Sequence, residues 1–355
     1  MNEVSRARVR LFVVILLVIL AVHVVVIAMI RAGHHPSGTG SVAAKAPEPV
    51  RNAAPPPPPK PASRYRKPSA NPNFGRPFNY ASARVGVLPD KEVPGSAGAR
   101  TGILVDLDTR RVLWEKNSHQ PVPIASMVKM MTLLVTFETL EADPSLSLDS
   151  PVRITKTALE VPRTGIIWLD PRETFPLSDL LKAVTIKSAN DAATQVAEFI
   201  GKGSVDTFVR QMNLRASELG MIDSNFVSPC GLKDKKKGNS TSSARDMVLL
   251  AERLLEYPQI LKWSTTQVDY IRQNTPKPTQ LTTTNKLINP HWPGVDGMKT
   301  GFTNDAGYCL TFTVLREGRR LAGCVTGFKS ARDRDRFCRK LIDWGYLLSF
   351  REKRK

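Results

Sequence analysis

Proline decides first what this chain of 355 residues can fold into. Pro55 to Pro59 form an unbroken run, and Pro47, Pro49, Pro61, Pro68, Pro72 and Pro77 extend the bias on either side. A residue with fixed φ and no N–H propagates neither helix nor central strand, and a stretch so rich in it buries no core. Residues 31–82 are therefore expected to be an extended linker, made basic by Arg64, Arg66 and Lys67. At about 3.1 Å per residue, such a tether spans at most on the order of 150 Å. What remains is a short N-terminal piece, one sizeable domain over residues 83–350, and a basic tail over 351–355.

The N-terminal piece reads as a membrane segment. Leu11 to Ile30 is apolar except for His23, and such a run is long enough to cross a bilayer as a helix. Arg6, Arg8 and Arg10 precede it, which places residues 1–10 in the cytoplasm and the bulk of the chain outside. Ala28-Met29-Ile30 followed by Arg31 is a poor cleavage site, so residues 11–30 are expected to stay as an uncleaved signal-anchor.

Charge and cysteine content narrow the function classes. The formal net charge is +19, yet residues 1–100 hold 14 of the 51 basic residues and only 4 of the 32 acidic ones. Over half the excess thus lies outside the expected domain. This argues against a nucleic-acid-binding core and for a basic tether drawn to anionic lipid or an anionic wall polymer. Cys230, Cys309, Cys324 and Cys338 are widely spread, with no C-x-x-C and no His/Cys cluster at zinc spacing. Cys309 and Cys324 fall on successive expected strands and read as core thiols, with a disulfide the alternative in an oxidising compartment.

Along the domain, strands come at both ends and helices between. Gly102 to Leu107 and Val112 to Trp114 read as a hairpin. Helices are expected from Ser126, from Pro176 to Thr185, from Ala192 to Ile200, from the Ser204 cap to Gly220, and from the capping-box-like Ser243 to Leu255. Val295 to Thr300 reads as a strand. Tyr308 to Leu315 and Leu321 to Thr326 form a hairpin about a turn at Arg316–Arg319, and a last amphipathic helix runs from Ala331 to Leu348. The fold class this implies is α+β: an antiparallel sheet from both chain ends, packed with a mostly helical region.

Three short stretches carry the chemistry. Ser126 and Lys129 are one turn apart on one helix face. Burial disfavours an ammonium, so a dry pocket turns Lys129 into a neutral amine, a general base beside a serine nucleophile. His119 and His291 sit in no motif that suits a Ser-His-Asp arrangement. Ser-x-x-Lys alone is expected about once per chain of this length and usually marks an N-cap serine with a solvated lysine. Ser188-Ala189-Asn190 is also weak alone, since the same tripeptide occurs at Ser69-Ala70-Asn71. Lys299-Thr300-Gly301 is expected by chance only about 0.1 times. The information lies in all three, in this order, on suitable elements.

So ordered, the motifs resemble the S-x-x-K, S-x-N, K-T-G signature of the active-site serine penicillin-interacting enzymes. The flanking residues are most similar to the low-molecular-mass penicillin-binding proteins, the D-alanyl-D-alanine carboxypeptidase family. They include Lys187 to Ala192, Val295 to Gly301, Ala306-Gly307-Tyr308, Ser242 to Met247 and Trp344-Gly345-Tyr346. The resemblance covers about residues 83–350. It implies a β-lactamase/DD-peptidase-like fold, an acyl-enzyme on Ser126 with Lys129 as base, and a relay of a proton through Ser188 to the leaving amine. Asn190 is implied as holder of the substrate amide and Lys299 as the charge keeping Lys129 neutral. The backbone N–H groups of Ser126 and Phe302 are implied as the oxyanion hole, and Lys299, Thr300 and Arg334 as the carboxylate site. No metal or cofactor is implied. The partners implied are peptidoglycan stem peptides, β-lactams as inhibitors, and the bacterial plasma membrane through the N-terminal helix, with the domain on its outer side. Alternatives are a D,D-endopeptidase of cross-links and a non-catalytic wall-binding homologue; a class A β-lactamase lacks its E-x-x-L-N-like stretch here. Departures from the family pattern are Val128 before the lysine, Phe302 after Lys-Thr-Gly, and Cys230 where relatives often carry His-Gly-Leu.

Overall fold

The computed structural model describes residues 71–288 and 292–351. The expected cytoplasmic segment, signal-anchor, linker up to residue 70 and the tail beyond Arg351 lie outside these. Among the described residues, no helix is long and apolar enough to cross a membrane.

Six strands form the main sheet: β1 (Arg84–Val85), β2 (Gly102–Asp106), β3 (Arg111–Lys116), β4 (Val295–Thr303), β5 (Gly307–Arg316) and β6 (Arg319–Phe328). Their order is β1-β3-β2-β6-β5-β4, antiparallel except for the short β1–β3 pair. The sheet thus joins the two ends of the domain at the β2–β6 pairing. Helices α1 (Lys129–Ala142), α2 (Leu177–Lys182), α3 (Asn190–Ile200), α4 (Val205–Glu218), α5 (Ala244–Leu254) and α6 (Pro258–Ser264) lie between, and α7 (Ala331–Arg351) closes the chain.

Period-2 patterning explains how the sheet is covered on both faces. Leu104, Leu310, Phe312, Val314, Leu321 and Val325 pack with Phe337, Leu341 and Ile342 of α7. Ile103, Val105, Cys309, Ala322 and Cys324 turn the other way, into the core of the helical region. Helix α1 is buried on every side from Lys129 to Glu138, more than the single apolar face its leucines suggest. Its buried Glu138 accepts two bonds of 2.7 Å from Arg215 of α4 and one of 3.2 Å from Arg253 of α5, tying three helices together. The expected caps are in place: Ser204 Oγ accepts from the Thr207 N–H, and Ser243 Oγ from that of Asp246.

The structure departs from the expectations in two places. The linker does not reach residue 82. The Asn79 amide donates to the Arg110 carbonyl at 2.8 Å, Phe78 lies under the Arg110 guanidinium at 4.4 Å, and Asn71 donates to Glu252 at 2.9 Å. Phe74, Phe78 and Tyr80 supply the apolar surface that proline counting ignored. The β5–β6 turn is shorter than Arg316–Arg319. Glu317 and Gly318 both have positive φ (49° and 70°), a two-residue geometry that matches strand twist, so Arg316 and Arg319 pair instead. Between α5 and β4 the chain forms α6 and a ribbon of Val268–Ile271 with Thr279–Thr282, a stretch on which the sequence reading made no assignment. All four cysteines are free and buried. Burial pushes the Cys309 thiol up to about 11 and that of Cys324 up to about 12.

Candidate active site

Ser126 lies not in α1 but in a single 3-10 turn, Ala125–Val128, that leads into it. In that geometry side chains three residues apart eclipse one another, and Lys129 Nζ stands 3.0 Å from Ser126 Oγ. The turn is entered through Ala125 at φ 47°, a conformation non-glycine residues hold only when their surroundings impose it. Those surroundings are two glycines. A Cβ on Gly231 (φ 85°) would stand 2.0 Å from the Ala125 carbonyl oxygen. A Cβ on Gly301, in the edge strand β4, would stand 2.6 Å from that of Ile124. The ribbon of Val122–Pro123 with Thr241–Ser242 fastens the approach to the turn.

Lys129 is fully buried. Besides Ser126, its Nζ donates to Asn190 Oδ1 at 2.7 Å and to the Cys230 carbonyl at 2.6 Å. Burial pushes the amine down to about 8, against the opposing pull of Asp191. The three partners make a base socket. The amide oxygen and the carbonyl only accept, so a neutral amine, with two N–H bonds, spends both there and turns its lone pair toward the Ser126 hydroxyl.

Asn190 opens α3 after a π-type turn, Ala183–Lys187, that ends at Ser188 with φ 64°. Its Nδ2 donates to the Thr164 carbonyl at 2.8 Å, and its N–H to that of Gly165 at 2.7 Å. Both ends of the side-chain amide are therefore in use within the protein. Ser188 is half-buried and makes no side-chain hydrogen bond among the described residues.

Lys299 and Thr300 lie on β4. Lys299 is buried, and its Nζ donates to the Thr300 carbonyl at 3.0 Å. Burial, then the nearby charges of Lys129 and Arg334, hold its amine well below the usual lysine range. Thr300 Oγ1 is 2.7 Å from the hydroxyl of Thr284. Phe302 is half exposed and stacks on Tyr308 at 4.1 Å between ring centroids. Arg334 is buried, donating from Nε and Nη2 to Asp335 at 2.9 and 2.7 Å and from Nη1 to the Cys309 carbonyl at 3.1 Å. It reaches the site through its charge on Lys299.

The structure thus brings Ser126, Lys129, Asn190, Lys299 and Thr300 together with Thr164, Cys230, Gly231 and Thr284. Of these four, sequence reading noted only Cys230, as a departure from pattern. The carbonyls of Thr164 and Cys230 leave no residue-type signal. The Asn190-Asp191 pair did offer one: Asp191 accepts from the Ile167 N–H at 3.0 Å and the Leu169 N–H at 3.3 Å, and so fixes the loop that Asn190 touches.

A sheet closed from both chain ends, with a helical region on one face and a Ser-x-x-Lys turn against its edge strand, is the architecture of the DD-peptidase class. The chain belongs to the D-alanyl-D-alanine carboxypeptidase family, peptidase S11, whose profile matches residues 89–330. It is 38% identical over 248 residues to D-alanyl-D-alanine carboxypeptidase DacF of Bacillus subtilis, covering 70% of this chain and 62% of that protein. It is 33% identical over 278 residues to DacC of Escherichia coli, covering 76% and 66%. The chain thus spans just under two thirds of the length of these relatives. Among solved structures it is similar to penicillin-binding protein D2 of Listeria monocytogenes in its cefotaxime-bound form. There the TM-score is 0.62 at 29% identity, covering 70% of this chain and 97% of that one.

Proposed function

We propose that this chain is a serine-type D,D-carboxypeptidase that removes the terminal D-alanine of peptidoglycan stem peptides through an acyl-enzyme on Ser126. The observation that carries the reading is the Ser126 hydroxyl 3.0 Å from the amine of a fully buried lysine. As Ser126 Oγ bonds to the scissile carbonyl carbon, its proton passes to the lone pair of Lys129. The resulting ammonium has three N–H bonds for the three acceptors around it, so the socket suits both states of the base. The developing oxyanion takes the N–H groups of Ser126 and Phe302, the latter on the strand whose Gly301 packs against the Ser126 turn. Collapse breaks the C–N bond; Ser188 gives its proton to the departing D-alanine nitrogen and is reprotonated by the Lys129 ammonium, which returns to the neutral amine. Water then hydrolyses the ester.

Asn190 serves as a strut for Lys129 through its Oδ1, and the second N–H of its Nδ2 serves the substrate amide. The substrate carboxylate sits by Lys299 and Thr300. Its negative charge restores the Lys299 ammonium, whose field then favours a neutral Lys129 while substrate is bound. Arg334 supports that site by its field, its guanidinium being held by Asp335 and Cys309. In the full chain the apolar run at 11–30 anchors the enzyme to a bacterial plasma membrane, and the proline-rich segment carries the domain outward into the wall.

The test is mass spectrometry of the full chain after incubation with a penicillin, together with D-alanine release from a peptide ending in D-Ala–D-Ala. The expected result is one penicilloyl adduct on Ser126 and turnover, both lost in Ser126→Ala. A folded wild-type protein with neither refutes the reading. Cleavage of cross-linked dimers to monomers without release of free D-alanine would replace it with an endopeptidase.

A further inference from the structure

Beside the Ser126 site, and using none of its reacting groups, lies a cleft of about 590 Å³. It begins at Lys187, the residue before Ser188, and at Ile166, the residue after the Gly165 that abuts Asn190. One wall is Trp168, which is 66% exposed. Its backbone is left-handed, φ 57°, which a bulky residue adopts only under constraint. The constraint is visible. Asp191 holds the N–H groups of Ile167 and Leu169 on either side. Arg272 donates to the Ile167 and Trp168 carbonyls at 3.1 Å each and is itself gripped by Glu173 through two bonds of 2.6 Å. The indole is thus held in solvent on a fixed backbone, as a rigid stacking surface.

The cleft is also cationic. Arg163 stands over the indole at 6.0 Å, and Lys187 and Lys277 line the walls. None of these three has a salt bridge among the described residues, whereas Arg172 and Arg272 are matched by Asp170 and Glu173. A second cleft of about 520 Å³ shares Arg272 and Glu173 with the first and continues past Tyr270, itself 43% exposed. The two adjoin at Arg272 and Glu173 as one groove. It offers two aromatic surfaces, with Arg163 and Lys187, unpaired among the described residues, beside the first and Lys277 near Asp170 in its wall.

We propose that this groove holds the polymer strand from which the stem peptide in the Ser126 site extends: a sugar ring stacks on Trp168, and free carboxylates of the stem peptides borne on that strand lie by Arg163, Lys187 and Lys277. The preferred substrate is then glycan-linked, anionic peptidoglycan rather than a free peptide. This rests on the function proposed above, and the test separates the two.

Full-chain protein in detergent, with Trp168→Ala, Trp168→Phe and Lys277→Glu variants, is assayed three ways. These are co-sedimentation with purified insoluble peptidoglycan, D-alanine release from that polymer against a soluble pentapeptide, and acylation by a penicillin. Trp168→Ala and Lys277→Glu are expected to lower polymer binding and polymer turnover about tenfold. Peptide turnover and acylation stay within about twofold, and Trp168→Phe retains most of the binding. Unchanged polymer binding, or equal losses on polymer and peptide, overturns the groove. A wild-type protein that neither turns over peptide nor takes an adduct refutes the carboxypeptidase reading, while co-sedimentation still decides the groove.

Discussion

Acylation of this chain by a penicillin should rise with pH through about 8 and level off above about 9. Burial lowers the Lys129 amine from 10.5 to about 8. The neutral fraction is then about one tenth at pH 7, one half at pH 8 and nine tenths at pH 9, so the second-order rate rises about tenfold between pH 7 and 9. An unperturbed lysine would instead give a rate climbing about tenfold per pH unit up to pH 10. The same shift fixes a stability trend. Between about 8 and 10.5 the unfolded chain binds the Lys129 proton and the native one does not, so stability rises with pH across that window. It gains about 3 kcal/mol that is absent below pH 8. Lys299, held well below the usual lysine range for the same first reason, adds to the trend. The assay is labelling by a fluorescent penicillin at limiting concentration from pH 6 to 10, with Lys299→Gln alongside wild type. Because burial is the first cause at Lys129, the variant should keep a midpoint near 8 even if its rate falls. A profile flat from pH 7 to 9 refutes Lys129 as the base. A midpoint that moves toward 10 in Lys299→Gln refutes burial as the cause and restores the neighbouring charge that the sequence suggested.

Gly231→Ala puts a Cβ 2.0 Å from the Ala125 carbonyl oxygen and should cost more than about 2 kcal/mol along with most acylation. Gly318→Ala, at φ 70° with nothing within 4 Å, should cost about 1 kcal/mol and leave acylation intact; thermal unfolding of both checks the pair. Glu252→Gln breaks the buried pair with Arg110 (2.5 Å) and should lower stability by about 3 kcal/mol in denaturant titration. Asp191→Asn keeps the size but turns an N–H₂ toward backbone donors of Ile167 and Leu169; hydrogen exchange at these two amides should quicken while α7 stays protected. Limited proteolysis of the full chain should cut before residue 71 and spare residues 71–82.

The sheet strands and the caps at Ser204 and Ser243 were legible because each rests on local chemistry: alternation in β2, β5 and β6, and a hydroxyl three residues before an N–H. The Ser126–Lys129 pair was legible for the same reason, since one turn of either helix type brings the two together. Residues 71–82 were misread because proline content outweighed Phe74, Phe78 and Tyr80, whose partners, such as Arg110 and Arg253, lie far along the chain. Asn190 was legible in part. Its motif identifies an amide at the right place, but what that amide holds depends on Thr164 and Lys129, distant in sequence and, for Thr164, present only as a carbonyl. The site's backbone follows the same rule. Ala125 and Ser188, both non-glycine, stand at φ 47° and 64°, and no local propensity favours either. Gly231 and Gly301 hold the Ser126 turn from outside, while the Asn190 amide, two residues beyond Ser188, joins the second motif to the base of the first. Strain at the first two motifs is therefore set by tertiary neighbours rather than by the motifs' own residues. A sequence can carry all three motifs and still lack the site if Gly231 is lost, which makes that glycine as diagnostic of the 3.0 Å Ser126–Lys129 contact as the serine and lysine themselves.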